Sequence, residues 1–200
     1  RWITADVGTA SISTIPTVRV TNETQLGHAL AQFGFPLAMK AIGKKLIHKS
    51  DAGGVKLNIQ TNRDALEAFD ALKKIPGVES VAVQPMVKGI EVIIGGKRDP
   101  QFGPIVLVGM GGIYTEVFRD SSMRICPITR KDAKEMIEEL KIFPILNGAR
   151  GQKPVNMAAL IRSIEGVASI MQKTNTKELD LNPVMCTPES AYAIDVRIME

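Results

Sequence analysis

The chain has 200 residues, 44% of them hydrophobic, and a formal net charge of +4. That suffices for a real core, in one domain or in two small lobes sharing an interface. The basic residues interleave with acids and aromatic content is only 4%, so neither a basic tail nor the stacking platform of a nucleic-acid binder is present. A mild positive balance suits an anionic small substrate. No apolar run reaches the roughly 18 residues of a membrane span, and no signal-peptide profile opens the chain. Cys126 and Cys186 are far apart in sequence, which points to a reducing cytoplasm rather than a disulfide scaffold.

Residues 1–15 show no convincing period. Pro16 opens a short extended piece, Thr17 to Val20, and Asn22 caps a helix with Gln25 in the capping-box position. Leu26, Leu30 and Phe33 form its apolar stripe and Gly34 ends it. Leu37 to Ile42 reads as a buried strand carrying one charge, Lys40. A lysine in such a strand is rarely buried without a partner, so it is expected to project into a site with an anion.

Next comes Leu46-Ile47-His48-Lys49-Ser50-Asp51-Ala52-Gly53-Gly54, and then a run with the period of a half-buried strand. In that run Val55, Leu57 and Ile59 are expected on one face, and Lys56, Asn58 and Gln60 on the other. Adjacent glycines tolerate positive φ and let the backbone come close to a ligand, and successive N–H groups in such a turn form a concave anion site. Two readings stay open here, a phosphate loop with a reactive histidine or a hairpin-like turn with a solvated one.

A helix is expected from near Asn62, with Leu66, Phe69 and Leu72 inward, and then a turn at Pro76-Gly77. Ser80 to Val87 is a strand interrupted by Pro85, which cannot donate to a ladder; it marks an edge or a hinge between lobes. A strand from Ile90 to Gly95 contains Glu91, and a charged loop through Arg98 follows. Ile105 to Val108 is wholly apolar, hence a central strand, and runs into Gly109-Met110-Gly111-Gly112-Ile113-Tyr114-Thr115-Glu116. After Ser121 to Ile125, Thr129 caps a helix with Asp132 in the box position. Pro154 suits the first turn of another helix, with Leu160, Ile164, Val167 and Met171 inward. Two strands close the chain, Glu178 to Val184 and Tyr192 to Ile198. Strands and helices intermix, giving an α+β or mixed α/β fold with a lobe boundary near Pro85 and no internal repeat.

Familiar motifs fail on position. A Walker loop needs glycine five residues before a Gly-Lys pair, and those positions hold Ala38 and Glu91. The dinucleotide pattern begun at Gly109 and Gly111 meets Tyr114 where its third glycine belongs. Two cysteines and two distant histidines lack zinc-ligand spacing; His28, Cys126 and Cys186 read as structural. Asn182 and Asp195 sit at corresponding places in the last two strands. An amide oxygen and a carboxylate meeting there are hard ligands of the kind Mg²⁺ uses beside phosphate oxygens and waters. The alternative is a pair of turn-facing polar residues. Asp180 shares the face of Asn182 as a ligand or its partner.

Taken in order, Lys40, His48 to Leu57, Val83-Gln84-Pro85-Met86-Val87, Glu91-Val92-Ile93, Lys97 to Pro104, Gly109 to Glu116, Glu178 to Pro183 and Ala193 to Val196 resemble the ATP-grasp subunit of NDP-forming acyl-CoA synthetases, of the ADP-forming acetate–CoA ligase type. The resemblance covers about residues 16–198. It implies a two-lobed ATP-grasp fold, residues 1–85 forming the smaller lobe with the phosphate loop and 86–200 the larger lobe with the Mg-binding strands, and the nucleotide in the cleft between them. By that likeness Lys40 binds nucleotide phosphates, Gly53 and Gly54 line the phosphate loop, Gln84, Pro85, Met86 and Val87 form the hinge against adenine, and Glu91 lies toward the ribose. Asn182 and Asp195 take Mg²⁺. His48 matches a histidine that exchanges phosphoryl with a phosphohistidine of the partner, and it places the chain in the acyl/acetyl branch. Arg98 and Glu116 are candidate helpers on the phosphoryl path, with membership of structural ion pairs as the alternative.

The implied activity is a cytoplasmic acid–CoA ligase (ADP-forming) working with ATP/ADP and Mg²⁺. The implied partner is a CoA-binding α subunit or fused domain. The likeness also extends to ATP-grasp modules fused to protein lysine acetyltransferases, which gives the alternative of a non-catalytic ATP-sensing module. The family usually begins with a helix before Ile15-Pro16, and residues 1–14 do not resemble one. Whether the chain is a separate subunit or part of a fusion therefore stays open.

Overall fold

The computed structural model describes residues 2–4, 11–43, 53–112 and 119–199. They divide into two compact units, Ile15–Val87 and Arg1–Thr14 with Lys88–Glu200. The boundary at Val87 lies two residues beyond the expected one. The start of the chain goes with the larger unit rather than the smaller, because its short strands pair with strands from the other end of the sequence.

The smaller unit is a four-stranded antiparallel sheet under two helices. Its elements are β3 (Val18–Val20), α1 (Glu23–Phe33), β4 (Leu37–Ile42), β5 (Val55–Ile59), α2 (Asn62–Lys73) and β6 (Ser80–Pro85), with strand order β3-β6-β4-β5. One core joins Leu26 and Ala29 of α1, Ala65, Ala68, Phe69 and Leu72 of α2, and Leu37, Met39, Ala41, Val81 and Val83 of the sheet. Because side chains alternate along a strand, Ala38 and Lys40 of β4 and Ala82 and Gln84 of β6 stand on the face turned away from the helices.

Three local expectations change here. The Asn22 side chain accepts the Gln25 N–H at 2.9 Å, but Gln25 Oε1 accepts from Thr21 N–H at 2.8 Å, one residue further back than a capping box requires. Leu66 is exposed and Ala65 and Ala68 take the inward places. The alternation of β5 also fails. Leu37 pairs with Ile59 but Met39 pairs with Lys56, so β5 takes three steps where β4 takes two. Asn58 absorbs the extra residue at φ 56°, a conformation asparagine tolerates, and Leu57 is left 62% exposed. A bulge of this kind re-aims every side chain on one side of it.

The larger unit is an eight-stranded sheet. Its elements are β1 (Trp2–Thr4), β2 (Ser13–Thr14), β7 (Ile90–Asp99), β8 (Gly103–Met110), β9 (Ser121–Ile125), α3 (Arg130–Glu138), α4 (Phe143–Leu146), α5 (Met157–Lys173), β10 (Glu178–Cys186), β11 (Ala191–Ala193) and β12 (Val196–Met199). The main path runs β1-β12-β10-β7-β8-β9, with β11 on β10 and β2 beside β11. Val92, Ile94, Val106, Val108, Leu179 and Leu181 meet Met136 and Ile137 of α3 and Leu160, Ile164, Val167 and Met171 of α5. Gly96 allows α5 to lie close on β7, since a Cβ there would stand 2.5 Å from Met171 Cγ.

The capping box at Thr129 and Asp132 is present in both directions. By contrast α5 starts at Met157 behind the cap Asn156, not at Pro154. The last expected strand is broken in two, and Asp195 lies in the break between β11 and β12.

Candidate functional site

In the smaller unit β4 carries Lys40 half-buried between Val55 of β5 and Ala82 of β6, its cross-strand neighbours. The glycine pair is tied to this strand. Gly54 O accepts the Ala41 N–H at 2.8 Å, and Gly53 has φ 68° with nothing within 4 Å of the Cβ position. The paired glycines thus leave the neighbourhood of Lys40 by a backbone path that a side-chain-bearing residue would strain. His48 lies outside the described residues, as does Glu116.

At the end of β6, Gln84 is buried and donates from Nε2 to Thr17 Oγ1 at 2.8 Å. Met86 is held from two sides, its N–H on Pro36 O at 3.0 Å and its Sδ accepting the Asn58 N–H at 2.9 Å. Pro85 pairs with Leu37 in the ladder, and Val87 is half-buried as the chain leaves for the larger unit. The bulge at Asn58 is therefore also a brace for the segment after β6, a link that sequence spacing does not carry.

In the larger unit Glu91 of β7 is exposed and sits against the turn after β8. Gly111 N–H donates to Glu91 O at 2.9 Å, and a Cβ on Gly111 would stand 2.9 Å from the Glu91 carbonyl carbon. Asn182 and Asp195 lie side by side, the Asn182 N–H donating to Asp195 O at 3.1 Å. Arg197 binds Asp195 Oδ2 through Nε and Nη2, at 3.2 and 3.1 Å. It also stands across the ladder from Asp180. Burial holds the Asp180 carboxyl above the usual range against the opposing pull of Arg197, with Asp195 and Glu178 adding to the rise.

Among the described residues no group of three or more His, Cys, Asp and Glu could hold a metal. An all-protein cage is absent from them. The amide oxygen of Asn182 and the carboxylate of Asp195 instead fit a hard cation that keeps waters and takes phosphate oxygens.

Of the two readings of Arg98, its contacts serve the structural one: its Nη2 donates to Met171 O and Thr174 O, the carbonyls at the C-terminus of α5, where a cation meets the negative end of the helix. These partners are backbone carbonyls, not the carboxylate of an ion pair. Cys126 and Cys186 are free and buried, and burial pushes the Cys186 thiol up to about 12; neither is a reactive thiolate. Sequence reasoning missed Thr17 and Arg197. Strand register carried the signal for both, since Val18 pairs with Val83 and Asp180 with Arg197.

Residues 6–199 match the model of the ATP-grasp domain. The chain belongs to the ATP-grasp domain family. It is 43% identical over 189 residues to the acetate–CoA ligase [ADP-forming] I subunit beta of Pyrococcus furiosus, covering 89% of this chain and 81% of that one. It is 38% identical to acetate–CoA ligase [ADP-forming] II of Archaeoglobus fulgidus, where 94% of this chain spans 28% of a longer protein. Among solved structures, the dinucleotide forming acetyl-coenzyme A synthetase 1 of Ca. Korarchaeum cryptofilum superposes with a TM-score of 0.81 at 33% identity, covering 94% of this chain and 85% of that one. That structure holds coenzyme A and Mg-AMPPCP and has a phosphohistidine segment pointing towards its nucleotide binding site.

Proposed function

We propose that this chain is the nucleotide-handling component of an ADP-forming acyl-CoA synthetase. The observation that carries the reading is 43% identity across 81% of a β subunit named for that reaction. Lys40 and the Gly53-Gly54 backbone meet nucleotide phosphates from the smaller unit, and Gln84 to Val87 meet the base. From the larger unit Glu91 serves the ribose, while Asn182 and Asp195 hold Mg²⁺, the cation found with a nucleotide analogue in the related structure. When bound, Mg²⁺ offsets charge on the β- and γ-phosphates.

His48 is the phosphoryl carrier in this reading. A neutral imidazole nitrogen attacks the γ-phosphorus in line, an N–P bond forms, the bond to the β,γ-bridging oxygen breaks, and ADP leaves with that electron pair. Such transfer needs positioning and charge neutralisation more than a base, and an imidazole with pKa near 6.5 is largely neutral at cellular pH. The reverse direction makes ATP from ADP and phosphohistidine.

Coenzyme A and the acyl group belong to a partner subunit or fused domain, in keeping with the longer Archaeoglobus relative, of which this chain spans 28%. No helix among the described residues is long and apolar enough to cross a membrane. Two free, buried cysteines support a reducing compartment, the cytoplasm. Calorimetric titration with ADP, with and without Mg²⁺, tests the assignment. Binding that weakens on Lys40→Met, and that loses its Mg²⁺ dependence on Asp195→Asn, supports it. Binding indifferent to both removes these residues from the site.

A further inference from the structure

The Asp195 carboxylate is gripped at one oxygen. Arg197 donates both Nε and Nη2 to Oδ2, at 3.2 and 3.1 Å. A carboxylate oxygen offers about two lone-pair sites, and the two N–H groups fill them. Among the described residues Oδ1 takes no such donor. The Arg197 side chain is 45% exposed and that of Asp195 23%, and an ion pair so close to water adds little stability. What it fixes is aim: Oδ2 is occupied and Oδ1 is left.

The fold sets this up locally. Asp195 lies in the break between β11 and β12, and Arg197 follows two residues later inside β12, so an extended chain puts both side chains on one face. Pairing of β12 with β10 stops at Val196 and Leu181, and pairing of β10 with β7 is interrupted between Leu181 and Val184. Asn182 therefore stands where β10 leaves both regular ladders, and its N–H on Asp195 O at 3.1 Å keeps the two residues together. Arg197 itself is anchored in the ladder, opposite Asp180.

We propose that Arg197 makes Asp195 a one-oxygen ligand and so biases the site toward Mg²⁺ over Ca²⁺. This rests on the Mg²⁺ reading above. Mg²⁺ demands near-octahedral coordination, which the narrow bite of a carboxylate using both oxygens strains, whereas Ca²⁺ takes more oxygens and accepts such a pair. With Oδ2 closed, Ca²⁺ is denied a ligand that Mg²⁺ does not use. Arg197 is a positioning residue that acts through Asp195 and holds no metal itself.

The test is calorimetric titration of the full chain with ADP, once in excess Mg²⁺ and once in excess Ca²⁺. Arg197→Met deletes both donors at an exposed site and keeps the length of the side chain. Loss of its positive charge strengthens the binding of two equally charged cations alike, so the ratio of the two ADP affinities, not either alone, reads the geometry. Ca-ADP is expected to gain on Mg-ADP by about tenfold relative to the wild type, a gain that a merely damaged fold does not produce. Arg197→Lys keeps a donor for Oδ2 and should return the ratio most of the way. A ratio unchanged in Arg197→Met, or shifted toward Mg²⁺, overturns the inference and leaves the Mg²⁺ reading standing. ADP binding by the wild type that is equal in Mg²⁺, in Ca²⁺ and in chelator removes that reading and this inference with it.

Discussion

Gly111→Ala tests whether the turn after β8 is built around Glu91. The added Cβ would stand 2.9 Å from the Glu91 carbonyl carbon, 3.0 Å from its oxygen and 3.1 Å from its Cβ. Two of those atoms are backbone, in a strand held by β8 on one side and β10 on the other, so the clash cannot be relieved by a rotamer change. Overpacking of this kind costs about 1–3 kcal/mol, and the Gly111 N–H bond to Glu91 O, weakened as the backbone parts, adds about 1 kcal/mol. For a chain of this size such a loss lowers Tm by roughly 5–15 °C. Gly27→Ala is the opposite control, an exposed site inside α1 with nothing within 4 Å of the Cβ. It should stabilise by about 0.5–1 kcal/mol. Melting followed by circular dichroism reads both. An unchanged Tm for Gly111→Ala, or shifts of the same sign for the two variants, would refute the close approach of the turn to Glu91.

Met171→Ala empties a fully buried place beneath Gly96 and should cost about 2–5 kcal/mol in urea unfolding; a cost under that range would mean α5 lies less closely on β7. Thr129→Ala removes one arm of the α3 capping box and should cost about 0.5–2 kcal/mol by the same assay. The hydrogen bonds from Thr129 hold the Asp132 carboxyl below its usual range, and Arg124, with Ser122, does the same for Glu139. A depressed folded pKa gives stability that is present above the unfolded value and lost as pH falls through the folded one. The acid limb of a stability–pH profile should therefore begin near pH 4 and flatten in Asp132→Asn and Glu139→Gln; an unaltered limb would contradict these contacts.

Much of this architecture could be read from the sequence where one local rule acted alone. The Thr129 capping box, the inward stripe of α5 from Leu160 to Met171 and the apolar strand around Ile105 to Val108 each follow from periodicity and caps. The failures fall where the rule depends on a distant partner. Alternation placed Leu57 inward, but the bulge at Asn58 is fixed by pairing with β4 and by Met86, residues far off in sequence. Family likeness leaves Arg98 between a phosphoryl helper and a structural residue; helix α5, whose carbonyls it binds, ends beside it only in three dimensions. For the site, Lys40 and the pair Asn182 and Asp195 stood out as polar groups in apolar strands. Thr17 and Arg197 did not, since each gains meaning only from the register that sets it against Gln84 or Asp180.

The most direct test of the central claim is transfer of label from γ-labelled ATP, with Mg²⁺, to the wild type and to His48→Ala. The account predicts acid-labile, base-stable label on the wild type alone. Equal label on both proteins would contradict the assignment of His48. No label on either, with Mg-ATP bound and a CoA-binding partner present, would make the chain a nucleotide-sensing module instead of a phosphoryl carrier.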